Sequence, residues 1–263
     1  MNGHVEAPNY TALAEIYDVV MAHVDYRGWA RHVHGLLVRH APEARSILEL
    51  GCGTGSLALE LRALGSYRYL ATDGSEQMLT VARRKFESAD DAIESAVGAI
   101  EFATLKFPVF RTQDCFDVAL LLYDGLNYLL DTSDIECLLA SVYESLEPGA
   151  VFLFDQSTPS NSLKNQEFFE DAGQHAAFSY VRTSRYDPNR CLHTTRFEIA
   201  TADRVLEEEH VQRAYTMEEV LGLLDPARWP EIHSYDGFSM NAATDASERI
   251  HWVIRKNDGA RWS

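Results

Sequence analysis

The fold is decided by one short stretch of the chain, residues 47–55, with the sequence ILELGCGTG. Its apolar residues predict a buried strand, and residues 57–61 then begin a helical pattern. A strand, a glycine-rich turn and a helix together form the first half of a βαβ unit. Glycine at Gly51, Gly53 and Gly55 lets the backbone adopt positive φ and lets a ligand contact the main chain directly. The alternative interpretation is a tight turn that merely requires small residues.

The spacing of these glycines distinguishes two classes of cofactor that bind at such a turn. The dinucleotide fingerprint Gly-x-Gly-x-x-Gly, counted from Gly51, requires its third glycine at position 56, which is Ser56. The E-x-G-x-G-x-G pattern that begins at Glu49 instead resembles the first motif of the class I methyltransferases that use S-adenosylmethionine. A nicotinamide-dependent oxidoreductase therefore remains only a weaker alternative.

A second motif follows the next predicted strand, which ends in Asp73. A carboxylate at this strand end can accept hydrogen bonds from both hydroxyls of a ribose, as in other nucleoside-binding α/β folds. Ser75 is predicted to cap the following helix. Residues 73–79, DGSEQML, resemble the second motif of the same family, and the resemblance implies that Gly74 and Met78 flank the adenosine. It also implies that the methionine part of the cofactor is held by Glu49, Gly51, Gly53 and Gly55, and makes Cys52 a further cofactor-binding candidate.

Composition and charge exclude several other classes of protein. The 263 residues suit a single domain, residues 1–263, with a modest insertion. No apolar run approaches the ~20 residues of a membrane span, and the first residues lack the features of a signal peptide, so a cytoplasmic protein is expected. The net charge of −17, from 23 basic and 40 acidic residues, opposes binding to nucleic acid.

The cysteines and histidines indicate neither disulfides nor a metal site. The four cysteines are scattered without a C-x-x-C pair, so reduced thiols are predicted. The ten histidines show no metal-ligand spacing, and no bound metal is expected.

Two further segments carry candidate cofactor-binding residues. Residues 9–40 resemble the N-terminal helical lid of one methyltransferase subgroup, in which tyrosines line the cofactor or acceptor pocket, and this implies such a role for Tyr17 and Tyr26. The alternative is that these aromatic side chains belong to the core. After the predicted third strand, residues 98–103, many relatives carry an aspartate that contacts the adenine. Here that position is Thr104, followed by Leu105, and both are candidates for the adenine contact.

The fourth predicted strand is a continuous apolar run that leads into Tyr123, Asp124 and Asn127. Ligands of open α/β sheets bind outside the carboxyl ends of the strands, so these three side chains are predicted to form the floor beneath the reacting methyl group. Tyr123 is also a cofactor-binding candidate, and Asp124 is a candidate general base. The Asp-x-x-Asn-Tyr pattern resembles the fourth motif of the same subgroup. A helix cap and turn would explain these residues equally well.

Residues 175–215 alternate apolar and polar side chains in three runs, which predicts an antiparallel β-meander. The segment resembles an insertion of the same subgroup. It either roofs the acceptor pocket or pairs two subunits in a homodimer, and the sequence does not choose between these roles. His175, His193 and His210 lie in this insertion and are further candidates for a base.

The resemblance extends from Tyr10 to Lys256. It implies an α/β, Rossmann-like fold with a seven-stranded sheet in the order 3-2-1-4-5-7-6, the last strand antiparallel, and an antiparallel β insertion. It also implies transfer of a methyl group from S-adenosylmethionine to a nitrogen or oxygen of a small molecule, with S-adenosylhomocysteine as product. The alternatives are a methyltransferase acting on tRNA or another macromolecule, and a non-catalytic S-adenosylmethionine-binding protein.

Overall fold

Two β-sheets organise the chain. A computed structural model describes residues 4–6, 9–11, 13–90, 100–166, 169–175 and 177–259. The strands of the larger sheet are β2 (Ser46–Leu50), β3 (Arg68–Asp73), β4 (Ile100–Thr104), β5 (Phe116–Leu121), β6 (Leu146–Ser157), β11 (Glu231–Asp236) and β12 (Arg249–Arg255). Gly98, the predicted start of the third strand, lies outside the described residues.

The order of the larger sheet is β4-β3-β2-β5-β6-β12-β11. This confirms the predicted order 3-2-1-4-5-7-6. The last strand in sequence, β12, is antiparallel to both β6 and β11, also as predicted. The order reverses at β2, which pairs in parallel with β3 on one side and β5 on the other. A crevice for a ligand forms at such a reversal.

Helices cover both faces of this sheet. They are α1 (Tyr17–Val20), α2 (Tyr26–His40), α3 (Ser56–Arg62), α4 (Glu76–Asp90), α5 (Thr132–Glu144), α6 (Pro159–Lys164) and α7 (Met217–Gly222), with 3-10 turns at Ala14–Ile16 and Leu126–Tyr128. Strand side chains alternate between faces. Leu48 and Leu50 therefore join the core that contains Leu138 of α5, whereas Ile47 joins the core that contains Val33 of α2. Every residue of β2 is buried, as expected for a central parallel strand.

The smaller sheet is wider than the predicted meander. Its strands are β1 (His4–Glu6), β7 (Glu170–Gln174), β8 (Phe178–Asp187), β9 (Leu192–Thr201) and β10 (Val205–Arg213), in the order β1-β10-β9-β8-β7. The three predicted runs are β8, β9 and β10, and Ala176 of the predicted segment lies outside the described residues. Strand β7 was missed because its sequence, EDAGQ, lacks an apolar alternation. Strand β1 was missed because it pairs with a strand about 200 residues away.

A third hydrophobic core joins the N-terminal segment to the smaller sheet. Leu13, Ile16 and Val20 pack against Phe197 and Ile199 of β9. This core fixes the smaller sheet and the N-terminal segment together above the carboxyl ends of the parallel strands. In the part of the chain that the structure describes, no helix is both long enough and apolar enough to cross a membrane.

Candidate active site

The glycine turn after β2 has the backbone conformation that the sequence predicts. Gly51, Gly53 and Gly55 have φ angles of 67°, 56° and 73°, a region that side chains with a Cβ disfavour. Gly55 is also crowded, because a Cβ there would lie 3.1 Å from the Phe86 ring and 3.3 Å from Cβ of Ala82. Gly53 has nothing within 4 Å of its Cβ position. Gly55 therefore allows close packing against α4, whereas the space beside Gly53 is open.

Asp73 lies at the carboxyl end of β3 and is fixed by the turn beside it. Its Oδ2 accepts a hydrogen bond from the Gly53 amide at 2.9 Å, and its Oδ1 accepts one from the Ser75 amide at 2.8 Å. Burial raises the pKa of this carboxyl, and the backbone hydrogen bonds oppose the rise. Each carboxylate oxygen has a further lone pair, so Asp73 is held rigidly and can still accept hydrogen bonds from a diol.

A cavity of about 500 Å³ opens above this turn, and it contains most of the predicted cofactor-binding residues. Its lining consists of Asn9, Tyr10, Tyr17, Gly51, Gly53, Asp73, Gly74, Ser75, Met78, Leu105, Lys106, Phe107, Leu122, Tyr123, Gly125 and Tyr128. Ser75 caps α4 as predicted, since its Oγ accepts the Met78 amide at 3.3 Å. The same hydroxyl donates to the Tyr10 carbonyl at 2.8 Å, so the N-terminal segment is fastened across the cavity.

Glu49 and Cys52 lie behind the turn rather than in the cavity lining. Glu49 is buried, its Oε2 accepts a hydrogen bond from the Tyr69 hydroxyl at 2.8 Å, and burial raises its pKa to about 7. The Cys52 thiol is also buried, which raises its pKa well above the ordinary value. The contact with a methionine moiety predicted for Glu49 stays a prediction, and Glu49 is not among the residues that line the cavity. Its side chain is turned into the core between β2 and β3 and supports the turn from below.

Thr104 and Tyr26 also lie outside the first cavity. Thr104 is exposed and its hydroxyl is hydrogen-bonded to Glu76, and of the two residues predicted to contact the adenine only Leu105 lines the cavity. Thr104 is the last residue of β4, opposite Asp73 of β3, and it does not line the cavity. Tyr26 stacks behind Tyr123 with ring centroids 5.8 Å apart, and it is hydrogen-bonded to Tyr17.

A second cavity of about 310 Å³ lies beneath the smaller sheet. Its lining consists of Tyr10, Leu13, Tyr17, Met21, Tyr123, Asp124, Tyr128, Asn165, Phe169, Arg182, Ser184, His193, Thr195, Phe197, His210 and Gln212. Four of these residues also line the first cavity. We call these four, Tyr10, Tyr17, Tyr123 and Tyr128, the tyrosine wall. A group moving from one cavity to the other must pass this wall.

The wall contains unusual backbone geometry. Tyr10, Tyr123 and the adjacent Asp124 have φ angles of 60°, 68° and 62°, which few residues other than glycine adopt. Such conformations cost of order 1–3 kcal/mol each and cluster at functional sites. The tyrosine wall is thus the most strained part of either cavity lining.

Asp124 is held in an ion pair, which alters its predicted role. Arg249 contacts both of its oxygens, at 2.6 and 3.2 Å, and also pairs with the fully buried Asp155. Burial raises the pKa of Asp155 to about 7, and Arg249 opposes this rise. Because both oxygens of Asp124 are engaged by a guanidinium, Asp124 is poorly suited to remove a proton. Sequence reasoning placed Arg249 in the last strand but missed this partnership.

Asn127 is a structural clamp rather than part of the floor. Its amide donates to the carbonyls of Ser157 at 2.9 Å and Arg213 at 2.7 Å, and its Oδ1 accepts from the Ser157 amide at 3.0 Å. Asn127 is 1% exposed and lines neither cavity. The predicted position at a strand end is right, but both donors are consumed by backbone.

Several residues of the second cavity were missed or left undecided. Tyr10 was not singled out from the sequence, and Tyr128 entered only as the last residue of the Asp-x-x-Asn-Tyr pattern. Of the three candidate histidines, His193 and His210 line the second cavity, whereas His175 is exposed and stacks on Phe178. Burial lowers the pKa of His193. The period-2 alternation of β9 and β10 carries the missing signal, because both cavity histidines share a face with buried Phe197.

The fold and the first cavity define an α/β protein that binds a nucleoside cofactor at the reversal of strand order. Residues 47–149 match the family model described as a methyltransferase domain. The chain is 28% identical over 257 residues to a putative methyltransferase of Geobacillus sp. (strain WCH70), covering 94% of this chain and 99% of that protein. Both matches agree with the resemblance to the class I S-adenosylmethionine-dependent methyltransferases that the sequence motifs carry.

Two further comparisons relate the chain to characterised folds and activities. An S-adenosylmethionine-dependent methyltransferase from Clostridium acetobutylicum has a solved structure of the same fold, with a TM-score of 0.75 and 24% identity over 94% of this chain and 99% of that one. A dTDP-3-amino-3,4,6-trideoxy-alpha-D-glucopyranose N,N-dimethyltransferase from Streptomyces venezuelae is 28% identical over 145 residues, which are 54% of this chain and 56% of that protein.

Proposed function

We propose that this methyltransferase transfers the methyl group of S-adenosylmethionine to a nitrogen atom of a small molecule bound in the second cavity. One observation carries the proposal: two cavities meet at a single tyrosine wall, and one of them contains the glycine turn and Asp73. Methyl transfer requires donor and acceptor to approach in line. Two adjoining compartments supply that arrangement, and such positioning is worth on the order of 7–11 kcal/mol of the barrier.

The first cavity fits the cofactor in shape and chemistry. Its positive-φ glycines, Gly51 and Gly53, would lie against the methionine part, and Asp73 would accept the ribose hydroxyls. Met78 and Leu105 offer apolar surface to the adenine. The tyrosine wall would then face the sulfonium, and a cation is attracted by the faces of aromatic rings.

The second cavity suits a small polar acceptor. Its volume of about 310 Å³ excludes a folded macromolecule, and its polar groups, among them Arg182, His193 and Gln212, are set among aromatic rings. We favour nitrogen over oxygen because a relative named for N-methylation of an amino sugar matches over half of the chain. The net charge of −17 opposes a nucleic-acid substrate.

A labelled-methyl transfer assay tests this proposal. The enzyme is incubated with methyl-labelled S-adenosylmethionine and, separately, dTDP-3-amino-3,4,6-trideoxyglucose, simple primary amines, the corresponding alcohols and bulk tRNA. Label in amines supports the proposal. Label confined to alcohols or to tRNA contradicts it.

A pair of variants locates the acceptor. Thr195 lines the second cavity, whereas Thr194, its neighbour in β9, lies on the opposite face of the sheet. Thr195→Trp fills the acceptor cavity and should abolish transfer while leaving the affinity for S-adenosylhomocysteine within about threefold. Thr194→Trp is the matched control and should leave transfer unchanged. Equal activity of the two variants would contradict an acceptor site in the second cavity.

We also propose that the protein is cytoplasmic, where its free cysteines stay reduced.

We further propose that the outer face of the smaller sheet pairs two copies of the chain. Arg185 and Arg190 lie at one end of this face, and Glu198 and Glu207 pair side by side at the other. A two-fold axis would set the basic end of one copy against the acidic end of the other. Light scattering should give a dimer mass, and Arg185→Glu should shift it toward the monomer. A monomeric wild-type protein would contradict the proposal.

A further inference from the structure

Four side chains, two of them buried, form a continuous line of polar contacts that ends at the tyrosine wall. The Tyr10 hydroxyl is hydrogen-bonded to the Tyr128 hydroxyl. The Tyr128 hydroxyl lies 3.0 Å from Nδ1 of His210, and Nε2 of His210 lies 3.3 Å from Oε2 of Glu208. Glu208 and His210 are 1% and 3% exposed. The line therefore connects the boundary of the two cavities with a carboxylate sealed inside the smaller sheet.

The contacts give this line a direction. Nε2 of His210 makes no hydrogen bond in this geometry, but the carboxylate 3.3 Å away would stabilise a proton there, which leaves the Nδ1 lone pair to accept from Tyr128. Tyr128 then donates to His210, so Tyr10 donates to Tyr128. The oxygen of Tyr10 is left with lone pairs at the surface shared by both cavities.

Glu208 also fixes the first member of the line. Its Oε2 accepts the Tyr10 amide at 2.8 Å, and its Oε1 accepts the Leu13 amide at 2.7 Å. Together with the hydrogen bond from Ser75 to the Tyr10 carbonyl, these contacts hold Tyr10 at its positive φ. Glu208 therefore lies beside His210 at one end of the line and also holds Tyr10 at the other end.

We propose that Tyr10, Tyr128 and His210 form a proton relay that takes up the proton which the acceptor loses on methylation. The inference rests on the proposed function, and it names a proton acceptor for that site. Asp124 is engaged by Arg249, and the second cavity histidine, His193, is hydrogen-bonded through Nδ1 to Ser162. His210 is the terminal proton acceptor, and Glu208 is its positioning residue.

The step balances without any further reactant. S-adenosylmethionine supplies the methyl group when its C–S bond breaks with the electron pair going to sulfur, and the acceptor lone pair forms the new bond. The acceptor proton passes to Tyr10, the proton of Tyr10 to Tyr128, and that of Tyr128 to Nδ1 of His210. The imidazolium that results lies beside the Glu208 carboxylate.

The two phenols suit transmission rather than storage of the proton. Burial raises the pKa of both Tyr10 and Tyr128 above the ordinary value of 10.0. Neither hydroxyl therefore ionises by itself. Each can accept a proton only while it donates its own proton to the next group in the line. The chemical gain comes from His210, because a positioned general base contributes about 10²- to 10⁴-fold to a rate.

Nitrogen NMR of the full chain tests the relay without any turnover. The protein is labelled with ¹⁵N-histidine and measured alone and with S-adenosylhomocysteine, and His210→Asn assigns the signals. We expect His210 as the Nε2–H tautomer, and we expect Tyr128→Phe to move the Nδ1 signal toward that of a nitrogen without a hydrogen bond. An Nδ1–H tautomer, or an Nδ1 signal that ignores Tyr128→Phe, would overturn the relay.

Kinetics of the same variants supply the second test, with the acceptor that the assay above shows to be methylated fastest. His210→Asn keeps an acceptor atom near the position of Nδ1 but cannot take up a proton. Its kcat should fall at least 100-fold, with the KM for the acceptor and the affinity for S-adenosylhomocysteine within threefold. His175→Asn, in the turn between β7 and β8 and outside both cavities, should match the wild type.

A kcat of His210→Asn within threefold of the wild type would overturn the relay, as would a matching loss of S-adenosylhomocysteine affinity. Should that variant fail to fold, Tyr128→Phe breaks the line instead, with Tyr67→Phe as its control. If none of the tested acceptors is methylated, the proposed function is contradicted. The relay is then still tested separately, by the NMR measurement.

Discussion

The two cavities are built from contacts of very different reach along the chain. In the first, Asp73 is fixed by amides only 20 and 2 residues away, and a single strand-turn-helix unit supplies the glycines. In the second, the Tyr10 amide reaches Glu208 across 198 residues, the Tyr10 and Tyr128 hydroxyls meet across 118, and Arg249 reaches Asp124 across 125. The glycine turn and Asp73 are a local motif, whereas the tyrosine wall and the acceptor side exist only once the whole chain has folded.

Because of this difference, substitutions on the two sides should have different effects on affinity and stability. A local motif keeps its shape as long as its own turn is intact, so its variants should lose affinity before they lose stability. A site assembled from distant segments is held by the contacts between them, so its variants should lose stability as well as activity. The predictions below test this contrast.

The largest effect is expected where the acceptor side is held by charge. Arg249→Met leaves the buried Asp155 without its cation, and breaking such a pair costs about 3–5 kcal/mol. Arg68→Met is the matched control, since Arg68 pairs with Asp114 in an exposed bridge of 2.9 Å worth at most about 1 kcal/mol. Urea unfolding measures both free energies. Equal losses would remove the claim that charge holds the acceptor side together.

On the cofactor side, Asp73→Asn should lower the affinity for S-adenosylhomocysteine while the fold survives. Hydrogen bonds to a charged group contribute about 1.5–3 kcal/mol each, so losing the charge beneath two ribose hydroxyls should weaken binding about 100- to 10,000-fold. Calorimetry measures this, with Asp114→Asn as a control outside both cavities. Unchanged affinity would mean that Asp73 serves only the turn.

A smaller effect is expected in the pH dependence of stability. Burial raises the pKa of Glu49 from 4.5 to about 7 in the folded protein, so the folded state binds this proton more tightly than the unfolded state. The associated stability is fully present below pH 4.5 and is lost as pH rises through 7. Between pH 5 and 8 the free energy of unfolding of the wild type should fall by about 2–3 kcal/mol more than that of Glu49→Gln. Urea unfolding at each pH measures both free energies. If they change with pH in the same way for the wild type and Glu49→Gln, Glu49 is not buried as described.

The smallest effect separates two glycines of one turn. Gly55→Ala and Gly53→Ala both place a Cβ at positive φ, but only Gly55 is crowded by Phe86 and Ala82. Gly55→Ala should therefore lower the free energy of unfolding by about 1 kcal/mol more than Gly53→Ala. Thermal unfolding of both variants checks this. A larger loss from Gly53→Ala would contradict the described packing.

The same contrast explains what the sequence could predict. Gly51, Gly53 and Asp73 were recognisable because their spacing along the chain is itself the geometry of the turn. Asn127 and Asp124 were correctly placed at a strand end, but their partners, Arg213 and Arg249, lie 86 and 125 residues away, and these partners determine whether a side chain is free. Periodicity records which face a residue occupies and not what covers that face.

Tyr10 and β7 mark the limit of such reasoning. Tyr10 is held by Glu208 and Ser75, and neither contact is implied by the residues around it. Strand β7 forms because β8 offers it an edge, although its own sequence has no apolar alternation. Both depend on tertiary pairing that overrides local preference.

A crystal structure of the protein with S-adenosylhomocysteine tests the central claim most directly. We expect the ribose on Asp73, the methionine part along the glycine turn, and the sulfur facing the tyrosine wall with the second cavity beyond it. Sulfur pointing away from Tyr10 and Tyr128, or the nucleoside bound in the second cavity, would contradict the account.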